Sequence, residues 1–361
     1  MFWVNSGDSH VLEPDDLWTK ELPSSLSARG PRSEVKGDKE IYYIDDEFVK
    51  LDKVEIAEAI RPPGASDVKL RIKDLDQQGI WSEVLFASKA LWVVLSKDRD
   101  LQRECLKVYN DWLHSEYLST SPRFVGAAMV STVSTEDAVA EIQRVAGMGY
   151  HSICLPTSTP EDRSYNDEVW EPVWAAAAEA GLPICFHIGT GARNRVFRGR
   201  GEVLINYVES TVPGTRTVSM LVASGVLERY PGLKVGVMEA GGSWLPALAD
   251  RMDEGHRQHQ VWNKHMLAML PSEYLKRQVY CSFMHDQTAV DTVRYLGFDN
   301  IMWGSDYPHY EGTYPRTQEV LKGLLDGVEQ QVVDRITAGA FAEMFPTAPR
   351  PPREEDLVAA S

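Results

Sequence analysis

From Phe124 to Leu155 the chain reads FVGAAMVSTVSTEDAVAEIQRVAGMGYHSICL, and one structural unit can be followed through it. The opening run, Phe124–Val130, is apolar and of strand length. Thr135–Met148 then repeats its apolar residues at three and four spacing, the period of a helix that buries one face. Met148-Gly149 supplies the punctuation of a helix end. A second apolar run, Ser152–Leu155, closes the stretch. Strand, helix, strand in this order is the unit from which parallel sheets are built.

Working outward, runs of the same kind occur at Phe2–Ser6, Ser82–Ala87, Pro183–Phe186, Lys234–Met238, Val279–Phe283 and Asn300–Trp303, which brings the candidate strands to eight. Amphipathic stretches lie between them at Leu101–Leu118, Trp170–Ala180, Thr215–Arg229, Leu245–Trp262 and Gln287–Leu296. Eight alternating units predict an α/β fold, a (β/α)8 TIM-like barrel, rather than an open sheet. Two long segments interrupt the alternation, residues 19–66 and 189–213, and both follow strands. The first is expected to form a cap inserted after strand 1, with Ile41–Ile44 and Phe48-Val49 as a small hairpin. Residues 1–345 then make one barrel, and 346–361 a C-terminal extension, extended or docked on another subunit.

Composition sets the class of partner. The 361 residues are 43% hydrophobic and 25% charged, enough for a large core. With 37 basic and 53 acidic residues the formal charge is −16, which argues against nucleic acid or an anionic membrane as the main partner. Small molecules and other subunits remain, so a homo- or hetero-oligomer is expected. Cys105, Cys154, Cys185 and Cys281 form no CxxC pair and suit buried free thiols in a reducing compartment. No basic leader precedes Asp8 and no run approaches the roughly 18 apolar residues of a membrane span. The expected location is the cytoplasm.

In a barrel the reactive groups lie at the C-terminal ends of strands, so polar residues there are read together. Strand 1 leads into Gly7-Asp8-Ser9-His10, where alternation aims Asp8 and His10 the same way. Strand 5 ends at His187, strand 6 at Glu239, and strand 8 leads through Gly304-Ser305 to Asp306. Taken singly, each has an ordinary reading: an aspartate after a strand often caps a helix, and a histidine there is often a hydrogen-bonded rim residue. Imidazoles and carboxylates converging on one mouth instead make a divalent-metal site. His309 and Glu311 follow Asp306 closely, and His309 is a candidate catalytic residue. His285, after strand 7, is a candidate substrate contact. His114, His256, His259 and His265 fall on helical stretches, and His151 at the opposite face. The arginines 193, 195, 198 and 200 make a local positive run after strand 5, with Arg193 a candidate for a substrate carboxylate. Trp18, Trp92, Trp244 and Tyr307 are candidate pocket walls, Trp244 among the substrate-binding residues.

Asp-Ser-His-Val-Leu-Glu-Pro at 8–14, Cys-Phe-His at 185–187, Glu-Ala-Gly-Gly-Ser-Trp-Leu-Pro at 239–246 and Gly-Ser-Asp-Tyr-Pro-His at 304–309 resemble the second amidohydrolase family, with its aminocarboxymuconate-semialdehyde decarboxylase-like members. Tyr109-Asn110-Asp111-Trp112 is also similar. The resemblance implies a distorted barrel with a divalent metal, commonly zinc or manganese, and hydrolysis or non-oxidative decarboxylation of a small carboxylated substrate. It places His10, His187 and Asp306 on ligand positions, and relatives carry an arginine where Arg251 stands that can reach a neighbouring active site. Two departures matter. Asp8 replaces the first histidine of a His-x-His pair, which hardens the site toward manganese or iron. Glu239 stands where the decarboxylases carry a histidine, so it either moves a proton or binds a second metal, for which Glu13 is the other candidate. No lysine ends strand 4, so a bridging carbamate is not expected. The leading expectation is a metal that activates water or a carbonyl, with Asp306 accepting the proton and Glu239 or His309 completing proton delivery. The alternatives are an iron or iron/manganese oxygenase subunit and a non-catalytic partner subunit with a structural metal.

Overall fold

The computed structural model of the chain describes residues 3–59, 61–159, 161–191, 196–262 and 266–352. Eight strands, β1 (Val4–Ser6), β2 (Ile80–Ala87), β3 (Phe124–Met129), β4 (Ser152–Pro156), β5 (Ile184–His187), β6 (Val235–Met238), β7 (Val279–Phe283) and β8 (Ile301–Trp303), are hydrogen-bonded in chain order. Every pairing among them is parallel. Each strand returns through a helix: α1 (Val68–Gln78), α2 (Arg99–Leu113), α3 (Thr135–Met148), α4 (Glu171–Ala180), α5 (Val212–Ala223), α6 (Trp244–Gln258), α7 (Gln287–Leu296) and α8 (Thr317–Leu324). The fold is a TIM-like barrel of eight parallel strands.

The seam between β8 and β1 closes beyond the strand ends. Gly7 N donates to Trp303 O at 2.9 Å and Asp306 N to Asp8 O at 2.9 Å, and Ser9 bridges Tyr307 in parallel. A glycine permits this approach, because a Cβ on Gly304 would stand 2.7 Å from Asp8 Cβ. The short strand His10–Val11 then pairs with the end of β2. Strand interiors are buried on both faces, as parallel strands covered by helices must be.

Where expectation and structure differ, the causes are local. The cap is a three-stranded antiparallel sheet, Arg32–Lys36, Lys39–Ile44 and Glu47–Lys53, followed by a helix at Val54–Ala59. Its first strand, RSEVK, is half-buried to exposed and carries no apolar alternation. The helix expected over Thr215–Arg229 is broken in two: α5 ends at Ala223, and Gly225, at φ +76°, precedes a short helix Val226–Arg229. The segment after β5 contains a helix, Glu202–Glu209, with no buried residue. The C-terminal extension begins against the barrel, where Asn5 Nδ2 donates to Pro349 O at 3.4 Å and Ala348 is buried; residues 353–361 lie outside the described residues. All four cysteines are buried and unpaired. No helix among the described residues is long and apolar enough to cross a membrane.

Candidate metal centre

At the C-terminal mouth the strand ends deliver their polar groups to one floor. Asp8 Oδ1 stands 3.8 Å from His10 Nε2 and 3.5 Å from His187 Nε2. His10 Nε2 is 3.6 Å from Asp306 Oδ1, and His187 Nε2 is 3.9 Å from Glu239 Oε2. Both imidazoles are oriented from behind: His10 Nδ1 lies 2.8 Å from Ala87 O and His187 Nδ1 3.0 Å from Ile188 O. A carbonyl can only accept, so each Nδ1 carries a proton and each Nε2 is the atom turned to the floor, the orientation in which histidine ligates metals.

Four atoms on this floor, Asp8 Oδ1, His10 Nε2, His187 Nε2 and Asp306 Oδ2, are buried without a hydrogen-bond partner. Buried polar atoms rarely stay unpaired, and four that converge call for a shared cation. Ligand atoms in two overlapping groups, Asp8 with His10 and His187, and His10 with Glu239, Asp306 and His309, lie within 4.8 Å of one another. Bonds of about 2.1 Å around one ion set neighbouring ligand atoms roughly 3 to 3.5 Å apart, so the observed separations suit a site that tightens slightly around its ion.

The electrostatics agree. Burial, then the His309 and His187 imidazoles, hold His10 well below the usual imidazole range. Burial alone would lower His187 too, but its contact with Asp8 outweighs this and pushes it up to about 9. Asp306 is raised by burial and then by Asp8, and Glu239 by burial and then by Asp306. Carboxylates crowded in a dry cavity resist ionisation, and a divalent cation among them reverses that. Asp306 and Glu239 also hold left-handed backbone, at φ +52° and +64°, conformations that non-glycine residues adopt at a cost and that cluster at functional sites.

A cavity of about 340 Å³ opens above this floor, at the small end of the range for ligand pockets, about 300 to 1,000 Å³. His10, His187, Glu239, His309 and Glu311 form its base, and the wall includes Leu91, Trp92 and Ile188, with Tyr42, Lys50 and Arg61 from the cap region. Lys50 Nζ stands 5.0 Å from the Tyr42 ring centre and 5.9 Å from that of Trp92. Lys50, Arg61 and Lys89 are paired with Asp52, Glu40 and Asp15. A larger neighbouring cavity, lined by Val94, Thr132, Pro156 and Arg163 among others, touches none of the clustered ligand atoms.

Several expected site residues stand elsewhere. Glu13 lines the cavity, but its carboxylate accepts the backbone N–H groups of Lys89 (2.9 Å) and Ala90 (2.9 Å), and it joins neither ligand group. Trp244, at the start of α6, donates Nε1 to Gly241 O at 3.0 Å and does not line the cavity. His285 is exposed, 3.0 Å from Glu311 O, outside the cavity lining. Trp18 and Tyr307 are core residues, and only Trp92 of the four aromatics reaches the wall. Arg251 is 81% exposed and paired with Glu254. Arg193, Arg195 and His265 lie outside the described residues. His309 does meet the floor, its Nδ1 2.8 Å from Asp306 Oδ1. Tyr42, Lys50 and Arg61 carried no motif, and only the position of the cap after strand 1 pointed to them; Lys89, in the loop after β2, carried no motif either.

A parallel barrel with its pocket at the C-terminal strand ends is the architecture of an enzyme. The chain belongs to the amidohydrolase family, whose sequence profile matches residues 84–346. It is 21% identical over 270 residues to a 2-amino-3-carboxymuconate-6-semialdehyde decarboxylase from Dictyostelium discoideum, covering 73% of this chain and 71% of that protein. Among solved structures, an amidohydrolase from Mycobacterium avium subsp. paratuberculosis superposes with a TM-score of 0.77 at 20% identity, over 95% of this chain and 99% of that one. A dihydroxybenzoic acid decarboxylase from Polaromonas sp. JS666, solved with bound manganese and the inhibitor 2-nitroresorcinol, superposes at 0.69 and 17% identity, over 99% of both chains.

Proposed function

We propose that the chain is a metal-dependent carboxy-lyase that removes CO2 from a small carboxylated substrate without an oxidant. Asp8, His10, His187 and Asp306 hold one divalent ion, and manganese suits a site with two carboxylates and two imidazoles. The observation that carries this reading is the convergence of four buried, unpartnered ligand atoms. The decarboxylase relatives, one of them solved with manganese, support the choice of lyase over hydrolase. When bound, the ion supplies Lewis acidity toward an oxygen of the substrate.

The chain's own residues do the rest. Non-oxidative decarboxylation breaks one C–C bond, releases CO2 and places a proton on the carbon left behind. Glu239, a carboxyl that burial and then Asp306 raise, is positioned at the cavity base to donate that proton. Asp306 accepts a proton from the substrate or relays one to His309, with which it already shares a hydrogen bond. Lys50, standing over two aromatic rings, meets a substrate anion at the far end of the cavity. Ile188, Leu91 and Trp92 exclude water around it.

Elemental analysis of the purified, unchelated protein, beside His187→Ala and Asp306→Asn, tests the proposal. One manganese or zinc per chain, lost in both variants, together with CO2 release from carboxylated aromatic acids under anaerobic conditions, is the expected result. Iron accompanied by oxygen uptake would replace it with the oxygenase reading, and no metal in any preparation would leave the proposal without its support.

A further inference from the structure

Behind the metal floor lies a buried ion pair that the chemistry does not use. Arg71, on α1, and Glu83, on β2, are both fully buried. Arg71 Nε donates to Glu83 Oε1 at 2.5 Å and Nη2 to Glu83 Oε2 at 3.1 Å. The remaining arm of the guanidinium, Nη1, donates to the carbonyl of His10 at 2.7 Å. Ser9 Oγ lies 2.7 Å from Glu83 Oε2, so the pair grips two consecutive residues of the segment that carries Asp8 and His10. Arg71 also packs over the Tyr307 ring, 4.7 Å from its centre, and the Tyr307 hydroxyl donates to Asp74 Oδ2, one turn further along α1, at 2.7 Å. Tyr307 follows Asp306 directly. One guanidinium therefore touches two of the three segments that supply ligand atoms, the one after β1 and the one after β8.

A buried ion pair is weak evidence for stability, since apolar replacements of similar volume are often neutral or better. Only a planar fork can reach a carboxylate and a backbone carbonyl at once while stacking on a ring. We propose that Arg71, held by Glu83, is a positioning residue for the metal centre: it fixes the spacing between Asp8 and His10 on one side and Asp306 on the other. The inference rests on the metal reading given above. Groups of this kind around ligating residues typically change metal affinity by about 10- to 100-fold.

The test measures Mn²⁺ affinity by calorimetry on the metal-stripped full chain, with the Mn²⁺ EPR spectrum and the melting temperature of the stripped protein. Two variants are compared with wild type: Arg71→Lys, which keeps the charge but loses the fork, and the double replacement Arg71→Met with Glu83→Leu, which leaves no unpaired buried charge. Mn²⁺ binding weakened about 10- to 100-fold and a changed EPR spectrum, with the double variant melting near wild type, is the expected result. Should the double variant not fold, Arg71→Lys alone carries the measurement. Wild-type affinity and spectrum in whichever variants fold would overturn the positioning role and leave the proposed function standing. A wild-type chain that binds no Mn²⁺ would overturn both.

Discussion

Glu13 takes two backbone N–H groups, of Lys89 and Ala90, onto one buried carboxylate. It thereby ties the loop after β2 to the segment after β1. Truncation leaves both donors unpaired, so Glu13→Ala is expected to cost about 2 to 4 kcal/mol of stability in chemical denaturation, with metal content per chain unchanged. Lys50 is different: it is 35% exposed and its partner Asp52 is on its own strand, so its loss disturbs little structure. Lys50→Met is expected to raise KM for the carboxylated substrate about tenfold, the scale of one charge-assisted hydrogen bond, while elemental analysis still finds the metal. Neither role was legible beforehand. A glutamate beside a histidine at a barrel mouth resembles a ligand until its oxygens are seen to be occupied, and a lysine in a polar insertion has no pattern to distinguish it. Asp8, His10, His187, Glu239 and Asp306 were legible because each ends or directly follows an apolar run, and the strand period aims it at the mouth.

Elements repeat that contrast. The eight barrel strands announce themselves because parallel strands are buried on both faces and so read as continuous apolar runs. The first cap strand, buried on neither face, does not. Helix α1 was also missed, although its start is well marked: Asp67 accepts from the backbone N–H groups of Lys69 and Leu70, both at 2.9 Å. Its apolar stripe is thin because the helix spends a buried position on Arg71. Asp67→Ala is expected to destabilise the fold by about 1 kcal/mol, read by thermal or denaturant unfolding. Because α1 carries Arg71, the same variant should weaken Mn²⁺ binding where an equally exposed cap elsewhere does not, such as Asp167, which accepts from Val169 N at 2.9 Å at the start of the short 3-10 helix Glu168–Trp170.

For the molecule as a whole, the metal couples stability to pH. His187 sits above its ordinary value, at about 9, and Asp306 and Glu239 are raised as well. Groups raised on folding stabilise the metal-free chain below their unfolded values, and that contribution is lost as pH rises through the folded values. For His187 the window runs from about 6.5 to about 9. Metal binding runs the other way, since it must displace the protons on the ligands His187 and Asp306 and so strengthens as pH rises over the same window. At saturating Mn²⁺, about a hundred times Kd, the ion adds roughly 2.7 kcal/mol. Chelation is therefore expected to lower the melting temperature by about 3 to 6 °C, with a larger gap at about pH 8.5 than at about pH 6.5. A gap independent of pH would mean that the ion displaces no proton from His187.

The four cysteines have a consequence for anyone who wants to watch this protein move. Cys105, Cys154, Cys185 and Cys281 are all buried. Burial pushes Cys105 and Cys185 up to about 12 and raises the other two as well, so none offers a thiolate to an alkylating reagent near neutral pH. The native surface is chemically silent toward maleimides. A single cysteine placed on the exposed helix Glu202–Glu209, at Leu204 for instance, would take a fluorophore or spin label at one defined place, with no native thiol to remove first.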